Sequence, residues 1–548
     1  MHWDRARTLA FAATALVFVG ILLPELHYVP IWDGRVYANC VIGAAANGFA
    51  SLSMESMRCA NHPTQSYAGI LALSQLVRFG DIAALHLTNI ALGLMALGCI
   101  RIVLARVFPD PVHARHLDLV TLLCAVHPVL LSTLIQPNVD FGVYVFFFAV
   151  LAALLSGRVG WAVLAGVLLC FSKETGVLAY GVTTGLFVLF AAIAGKRTRA
   201  ERVRGVLSMW MLALPLVLFG VHVLWWNATH AHPAVWKQGW QRTTLDGFQF
   251  FDLSGAVFEG YATGIFVIGF MWIVSALMAA DLLRGGLRMA RRLPGRRVEG
   301  ADSARLAFVT TLTFVLTYLL TSYRTWGNLR YFALLYPLVV MLGYASLVRL
   351  AISRRARTGI LCAMALLFAV SIYRSVDPVS RAIYGTFSTG EQEMYRMASI
   401  TGEYSGPGRD ELVYNLQFTG YHHVQNALFR QLHATDSTAF ATARIVRWNL
   451  WSQLDDQTRD RTLREENVIV PRYWDEVDLL ASPQRPRDVW YLDFTYRPDH
   501  DDSMARLKLL YREVGVTRAE ARGHVVVAHH LQLIGRAGLS RPLLTPHQ

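Results

Sequence analysis

The chain has 548 residues, of which 54% are hydrophobic and 16% charged, and its mean hydropathy is +0.36. That balance excludes an ordinary soluble enzyme and belongs to a membrane protein. The formal net charge of +13 suggests nucleic acid at first sight, but the arginines crowd into short links between apolar runs: Lys196, Arg197, Arg199, Arg202 and Arg204; Arg284, Arg288, Arg291, Arg292, Arg296 and Arg297; Arg354, Arg355 and Arg357. This is the positive-inside pattern, which encodes orientation, so no nucleic-acid partner is expected.

A bilayer-spanning helix needs roughly 17–25 mostly apolar residues. Runs of this kind fall at 8–24, 82–107, 118–135, 139–156, 158–172, 175–195, 205–226, 256–281, 305–322, 331–352 and 358–375, about eleven spans. Arg5 and Arg7 precede an apolar run from Leu9, as in a signal peptide. No small-residue cleavage site precedes Pro24, so an uncleaved first helix is expected. With the N-terminus inside, all three arginine-rich links and the Arg106–His116 link fall inside. Dropping any one helix would move one of those clusters outside.

The external segments are then 25–81, 136–138, around 173–174, 227–255, 323–330 and 376–548. In the first, 36–50 is mildly apolar and 67–79 is amphipathic, both patterned as interfacial helices. Cys40 and Cys59 share that loop, which permits a disulfide in an oxidising compartment. Cys99, Cys124, Cys170 and Cys362 lie in apolar runs and read as small core residues. Asn227-Ala228-Thr229 matches a glycosylation sequon, a triplet common by chance. From about Asp377 the apolar runs stop and charges become frequent. Strand-like stretches at 411–416, 489–496 and 524–529 alternate with helical patterns at 421–432 and 503–514. The expected fold is a membrane all-α domain over 1–375 and a soluble extracytoplasmic α/β domain over 376–548.

Four polar clusters fall on the predicted external side. They are Asp33 and Arg35 with Tyr37; Gln136-Pro137-Asn138-Val139-Asp140; Ser172-Lys173-Glu174-Thr175; and the run from Tyr323 to Tyr331, with Arg324 and Arg330. Each has an ordinary explanation. Lys173 and Glu174 can pair with each other or cap a helix, Arg330 can snorkel to headgroups, and Asp140 can complement a helix dipole. The turns around 136–138 and 173–174 are nevertheless too short to need charges for solubility. Together the clusters suit transfer from a phosphate-linked donor to a hydroxyl. A carboxylate takes the acceptor's proton, and lysine and arginine hold the departing phosphate. A site at the membrane surface suits a donor whose other end is a lipid.

His127-Pro128-Val129, Gln136 to Asp140, Phe171-Ser172-Lys173-Glu174-Thr175-Gly176, His86-Leu87-Thr88-Asn89, and Arg330-Tyr331 followed by Pro337 resemble the membrane core of GT-C glycosyltransferases. Within that superfamily the core is most similar to the protein O-mannosyltransferases. The external α/β domain is closer to the bacterial aminoarabinose and mannosyl transferases. The likeness covers roughly residues 5–350. It implies a polyprenyl-phosphate sugar donor, an extracytoplasmic acceptor (glycan, lipid or protein), and a bacterial inner membrane with a periplasmic active site in the cell envelope. It also implies an acid in the first external loop as catalytic base, and Asp33 matches that position. Many members carry a second acid immediately after it. Here Gly34 follows, so Asp140 or Glu55 becomes the candidate to compensate. Arg35, Lys173, Arg330 and Tyr331 are candidates for the donor phosphate. Glu55, Arg58, Gln136, Asn138, Glu174 and Arg324 are candidate lining residues. Some members use a divalent cation, Mg2+ or Mn2+, for which Asp140 and Glu174 would be candidates. The rival functions are a transporter or flippase for a lipid-linked or anionic solute, an en bloc glycan ligase, and a non-catalytic scaffold. A transporter would place its charges near the bilayer midplane, often with internal repeats. Here they lie at one face, and no repeat is visible.

Overall fold

The computed structural model describes residues 5–26, 37–38, 40–42, 65–77, 82–135, 137–193, 209–229, 265–267, 269–291, 298–322, 329–373, 379, 386–389, 392–395, 443–446, 468–469, 487–494, 503–521 and 524–534. Two compact units are present, one holding the long helices and one holding the strands.

The helical unit contains α1 (Arg5–Leu22), α2 (Gln65–Val77), α3 (Ile82–Val107), α4 (Ala114–Ala125), α5 (Pro128–Ile135), α6 (Val139–Leu155) and α7 (Val159–Cys170). It continues with α8 (Glu174–Ile193), α9 (Leu214–Thr229), α10 (Met271–Ala290), α11 (Ser303–Ser322), α12 (Leu335–Arg349) and α13 (Arg354–Tyr373). A helix overlaps every apolar run expected to span. Among the described residues, α3, α8 and α11 are long and apolar enough to cross a membrane, and α4 with α5 forms a fourth, bent candidate.

Position in the unit follows composition. A helix that is apolar all round is buried, and α6, with Phe141, Phe146, Phe147 and Phe148, is buried along nearly its whole length, as is α12. The outer helices carry exposed apolar side chains, such as Leu9 and Leu16 on α1 and Val217, Val221 and Leu224 on α9. A surface of this kind calls for lipid or another apolar cover.

Two of the expected spans differ in detail. The run at 118–135 is broken, its two helices meeting at 53°. Pro128 opens the second, and a proline lacks the N–H that would continue the first and disfavours the helical conformation of the residue before it. His127, at the break, packs its ring at a tilt against that of Tyr336, with centroids 4.4 Å apart. The second is α10, which begins later than the run expected at 256–281 and continues into the arginine-rich link. Its arginines are helix-compatible, and it is fastened to α12 at this end: Arg349 of α12 pairs with Asp281 of α10 at 2.9 Å, and Arg284 of α10 donates to the Leu350 carbonyl at 2.8 Å.

Arg305 likewise caps a helix end, donating to the Arg106 carbonyl at 3.0 Å, and Arg357 donates to the Ile352 carbonyl in the link before α13 at 2.8 Å. The last four carbonyls of a helix have no partner within it, so arginines placed there satisfy them. His113 and His116 both reach the Tyr344 hydroxyl, at 2.6 and 3.3 Å. The ends of α3, α10 and α12 and the starts of α4, α11 and α13 thus gather at one pole of the unit.

The strand unit contains an antiparallel pair, β1 (Thr386–Thr389) with β2 (Gln392–Tyr395). It also contains a five-stranded sheet in the order β4-β3-β5-β7-β6, formed by β3 (Ala443–Val446), β4 (Val468–Ile469), β5 (Asp488–Phe494), β6 (Tyr511–Ala521) and β7 (His524–Leu533). β3 is parallel to β4 and β5, while β7 is antiparallel to β5 and β6. Tyr491, Leu507, Leu510, Tyr511 and Leu531 form its core, with the short helix α14 (Ser503–Leu507) alongside. The helix expected over 503–514 stops at Leu507, and the remainder enters β6. Val514, Val516 and Thr517 favour a pleated strand, and pairing with β7 satisfies its backbone. The expected elements at 411–416 and 421–432 lie outside the described residues.

Candidate functional site

At the opposite pole from the arginines, three chain segments meet. Asp140 stands in the first turn of α6, Lys173 in the link from α7 to α8, and Arg330 in the 3-10 turn Leu329–Phe332. Lys173 Nζ donates to Asp140 Oδ1 at 2.7 Å, and Arg330 Nε lies 3.3 Å from Asp140 Oδ2. The Tyr331 ring faces both cations, with Lys173 Nζ 4.1 Å and the Arg330 guanidinium carbon 5.4 Å from its centroid. Relative exposure is 4% for Asp140, 6% for Lys173 and 9% for Arg330. Arg330 is therefore not snorkelling, and Lys173 is committed to Asp140.

Burying charges is costly unless they are paired. Here one carboxylate serves two cations. Cation–π contact with Tyr331 adds a modest stabilisation of those cations, about 0.5–2 kcal/mol.

The surrounding sequence explains why the trio forms. Ser66, next to the start of α2, donates its backbone N–H to the Phe171 carbonyl at 3.2 Å and its hydroxyl to that of Leu168 at 2.6 Å. Ser172 Oγ is 2.9 Å from Ser66 Oγ, which fastens α2 to the link carrying Lys173. Three residues on, Gly176 lies so close to α7 that a Cβ there would meet the Leu169 carbonyl oxygen. Gly142 plays the same part in α6, where an added Cβ would sit 2.8 Å from the Tyr67 ring. Tyr67 then donates to Asn89 Oδ1 at 2.8 Å, and Asn89 Nδ2 donates to the Leu134 carbonyl at 2.9 Å. That carbonyl is one of the unpartnered group at the end of α5.

The structure therefore brings together Asp140, Lys173, Arg330 and Tyr331. Asn138 is buried two residues before Asp140, and Glu174 is half-buried beside Lys173. Asp33, Arg35, Glu55, Arg58, Gln136 and Arg324 lie outside the described residues. Ser66, Tyr67 and Gly142 were not among the expected site residues. A tyrosine with a buried hydroxyl was the available signal, because such a hydroxyl needs a partner. Cys40 is disulfide-bonded, and Cys59, its expected partner, lies outside the described residues.

Among the described residues, no group of three or more His, Cys, Asp or Glu is placed to hold a metal. Asp140 already faces two cations, so the described trio does not fit a divalent ion.

No family model matches the sequence, and no curated protein matches it. Among solved structures the chain is similar to ArnT from Cupriavidus metallidurans in the apo state. The identity is 14% and the TM-score 0.49, over 94% of this chain and 97% of that one. It is likewise similar to ArnT from the same organism bound to undecaprenyl phosphate, at 14% identity and a TM-score of 0.47, over 96% and 98% of the two chains.

Proposed function

We propose that this chain is an integral membrane glycosyltransferase of the GT-C type. It moves one sugar from a polyprenyl-phosphate donor to a hydroxyl of an extracytoplasmic glycan, glycolipid or protein. The observation that carries the reading is the buried Asp140–Lys173–Arg330 trio, in which two cations converge on one carboxylate. A phosphodiester between lipid and sugar carries one negative charge, which two such cations can hold together. Charge-assisted hydrogen bonds from lysine and arginine are the strong kind that phosphate recognition uses.

In the reaction, Asp33 takes the proton of the acceptor hydroxyl as general base. The acceptor oxygen forms its bond to the anomeric carbon while the bond from that carbon to the phosphate oxygen breaks. Lys173 and Arg330, with Arg35, hold the charge that accumulates on the departing polyprenyl phosphate. Asp140 orients the two cations, and Tyr331 covers them. The protein sits in a bacterial inner membrane with its N-terminus cytoplasmic. Residues 1–375 form the catalytic membrane domain, and residues 376–548 form a periplasmic α/β domain.

The broken α4–α5 pair is a feature that transporters also use. Turnover separates the two functions. Purified protein given lipid-phosphate sugars and an acceptor should release polyprenyl phosphate and glycosylate the acceptor. Movement of the lipid across vesicles with no bond broken would refute the enzyme reading.

A further inference from the structure

Asn138 is the residue at the site whose chemistry is unspent. Its backbone has the extended conformation of a helix N-cap, with φ −87° and ψ 144°, yet its side chain makes no capping hydrogen bond. Only its carbonyl serves the helix, accepting from Phe141 N at 2.9 Å. The side chain is 1% exposed, and neither its Oδ1 nor its Nδ2 has a hydrogen-bond partner among the described residues. A buried amide normally finds partners, and leaving one unpaired is destabilising. Asparagine at this position therefore costs stability that no described contact returns.

The place of Asn138 suggests what fills it. Two residues span at most about 7 Å of chain, so Asn138 lies next to Asp140 and its two cations. A phosphate oxygen only accepts hydrogen bonds and would leave Oδ1 unmatched. Neighbouring hydroxyls match both ends of an amide, one accepting from Nδ2 and one donating to Oδ1. We infer that Asn138 is a sugar-reading residue, whose side-chain amide hydrogen-bonds two neighbouring hydroxyls of the donor sugar while Lys173 and Arg330 hold its phosphate. This rests on the glycosyltransferase reading and adds the group that separates a sugar-loaded donor from bare lipid phosphate.

The test compares Asn138→Leu and Asn138→Ala with the wild type in detergent, with no acceptor present. The probes are undecaprenyl phosphate and undecaprenyl phosphate carrying glucose, mannose or aminoarabinose. The sugar-loaded probe that the wild type binds tightest is then taken to the variants. Both variants should bind bare undecaprenyl phosphate within about twofold of wild type. Each should bind the sugar-loaded probe roughly 5- to 100-fold more weakly, the loss expected of two neutral hydrogen bonds. The unliganded unfolding midpoint of Asn138→Leu should be at or above that of wild type, because an unpaired amide has been removed.

Sugar-loaded affinity unchanged in both variants, or no probe bound tighter by wild type than bare lipid phosphate, overturns the inference alone. So does a midpoint lowered in both variants, which marks a structural asparagine. An equal loss of affinity for bare and sugar-loaded undecaprenyl phosphate would assign the amide to the lipid phosphate instead and also overturn it. A wild type that binds none of the four lipids overturns the glycosyltransferase reading itself.

Discussion

At the scale of single residues, the site is a problem in charge balance. Asp140 holds Lys173 at 2.7 Å and Arg330 at 3.3 Å in surroundings from which water is largely excluded. Removing one partner of a buried ion pair typically costs about 3–5 kcal/mol, since the other charge is left uncompensated. Asp140→Asn should therefore lower the unfolding midpoint in detergent and in native membranes. Because Lys173 then loses its carboxylate, undecaprenyl phosphate should restore more stability to the variant than to the wild type. An unchanged midpoint would mean that the trio contributes nothing to holding the three segments together. The types and order of these residues were legible in the sequence, because charges in very short turns between apolar runs need a reason. Their pairing was not. Asp140 and Lys173 lie 33 residues apart, and no periodicity reports which of several external charges will meet.

At the scale of elements, hydropathy located the long helices well, because burial of an apolar run depends on length and composition alone. It failed where a local device or a partner strand decided the outcome. Pro128 broke one run, and α10 ran past its apolar stretch because arginines are good helix formers with carbonyls to cap at that end. In the tail, Leu509, Leu510 and Val514 mimic helical spacing, but β7 offers a backbone ladder that a solvent-exposed helix would lack. The same strand supplies a pH-dependent contact. Glu513 on β6 is held below the ordinary glutamate range by its hydrogen bond to Lys508, whose Nζ is 3.1 Å away, with burial opposing and His529 adding a smaller attraction. A depressed carboxyl pKa stabilises the fold above the unfolded value of about 4.3. The contribution is lost as pH falls through the folded value. Lys508→Ala should thus unfold earlier than wild type at pH 7, with the difference shrinking as pH falls below the unfolded glutamate value and gone once pH is below the folded one. A gap that persists at low pH would assign the effect to packing of the lysine stem.

At the scale of the whole molecule, the two poles of the helical unit have opposite chemistry. One gathers arginines that cap helix ends, and the other gathers the buried trio. The positive-inside reading assigns the first pole to the cytoplasm. Reporter fusions at Gly300 and Gly406 should then give opposite signals, and equal signals would overturn the span count and the shared external face. In the proposed function the pole bearing the trio faces outward and binds a lipid phosphate, while a separate acid, Asp33, activates the acceptor. The most direct measurement is a paired determination of turnover and donor affinity for Asp33→Asn and Arg330→Ala. Loss of a general base should cut turnover by about 10²–10⁴-fold with donor affinity nearly unchanged, while loss of a charge-assisted phosphate contact should weaken donor binding by roughly 10- to 100-fold. Near-normal turnover in Asp33→Asn, or donor affinity unaltered in Arg330→Ala, would contradict the account.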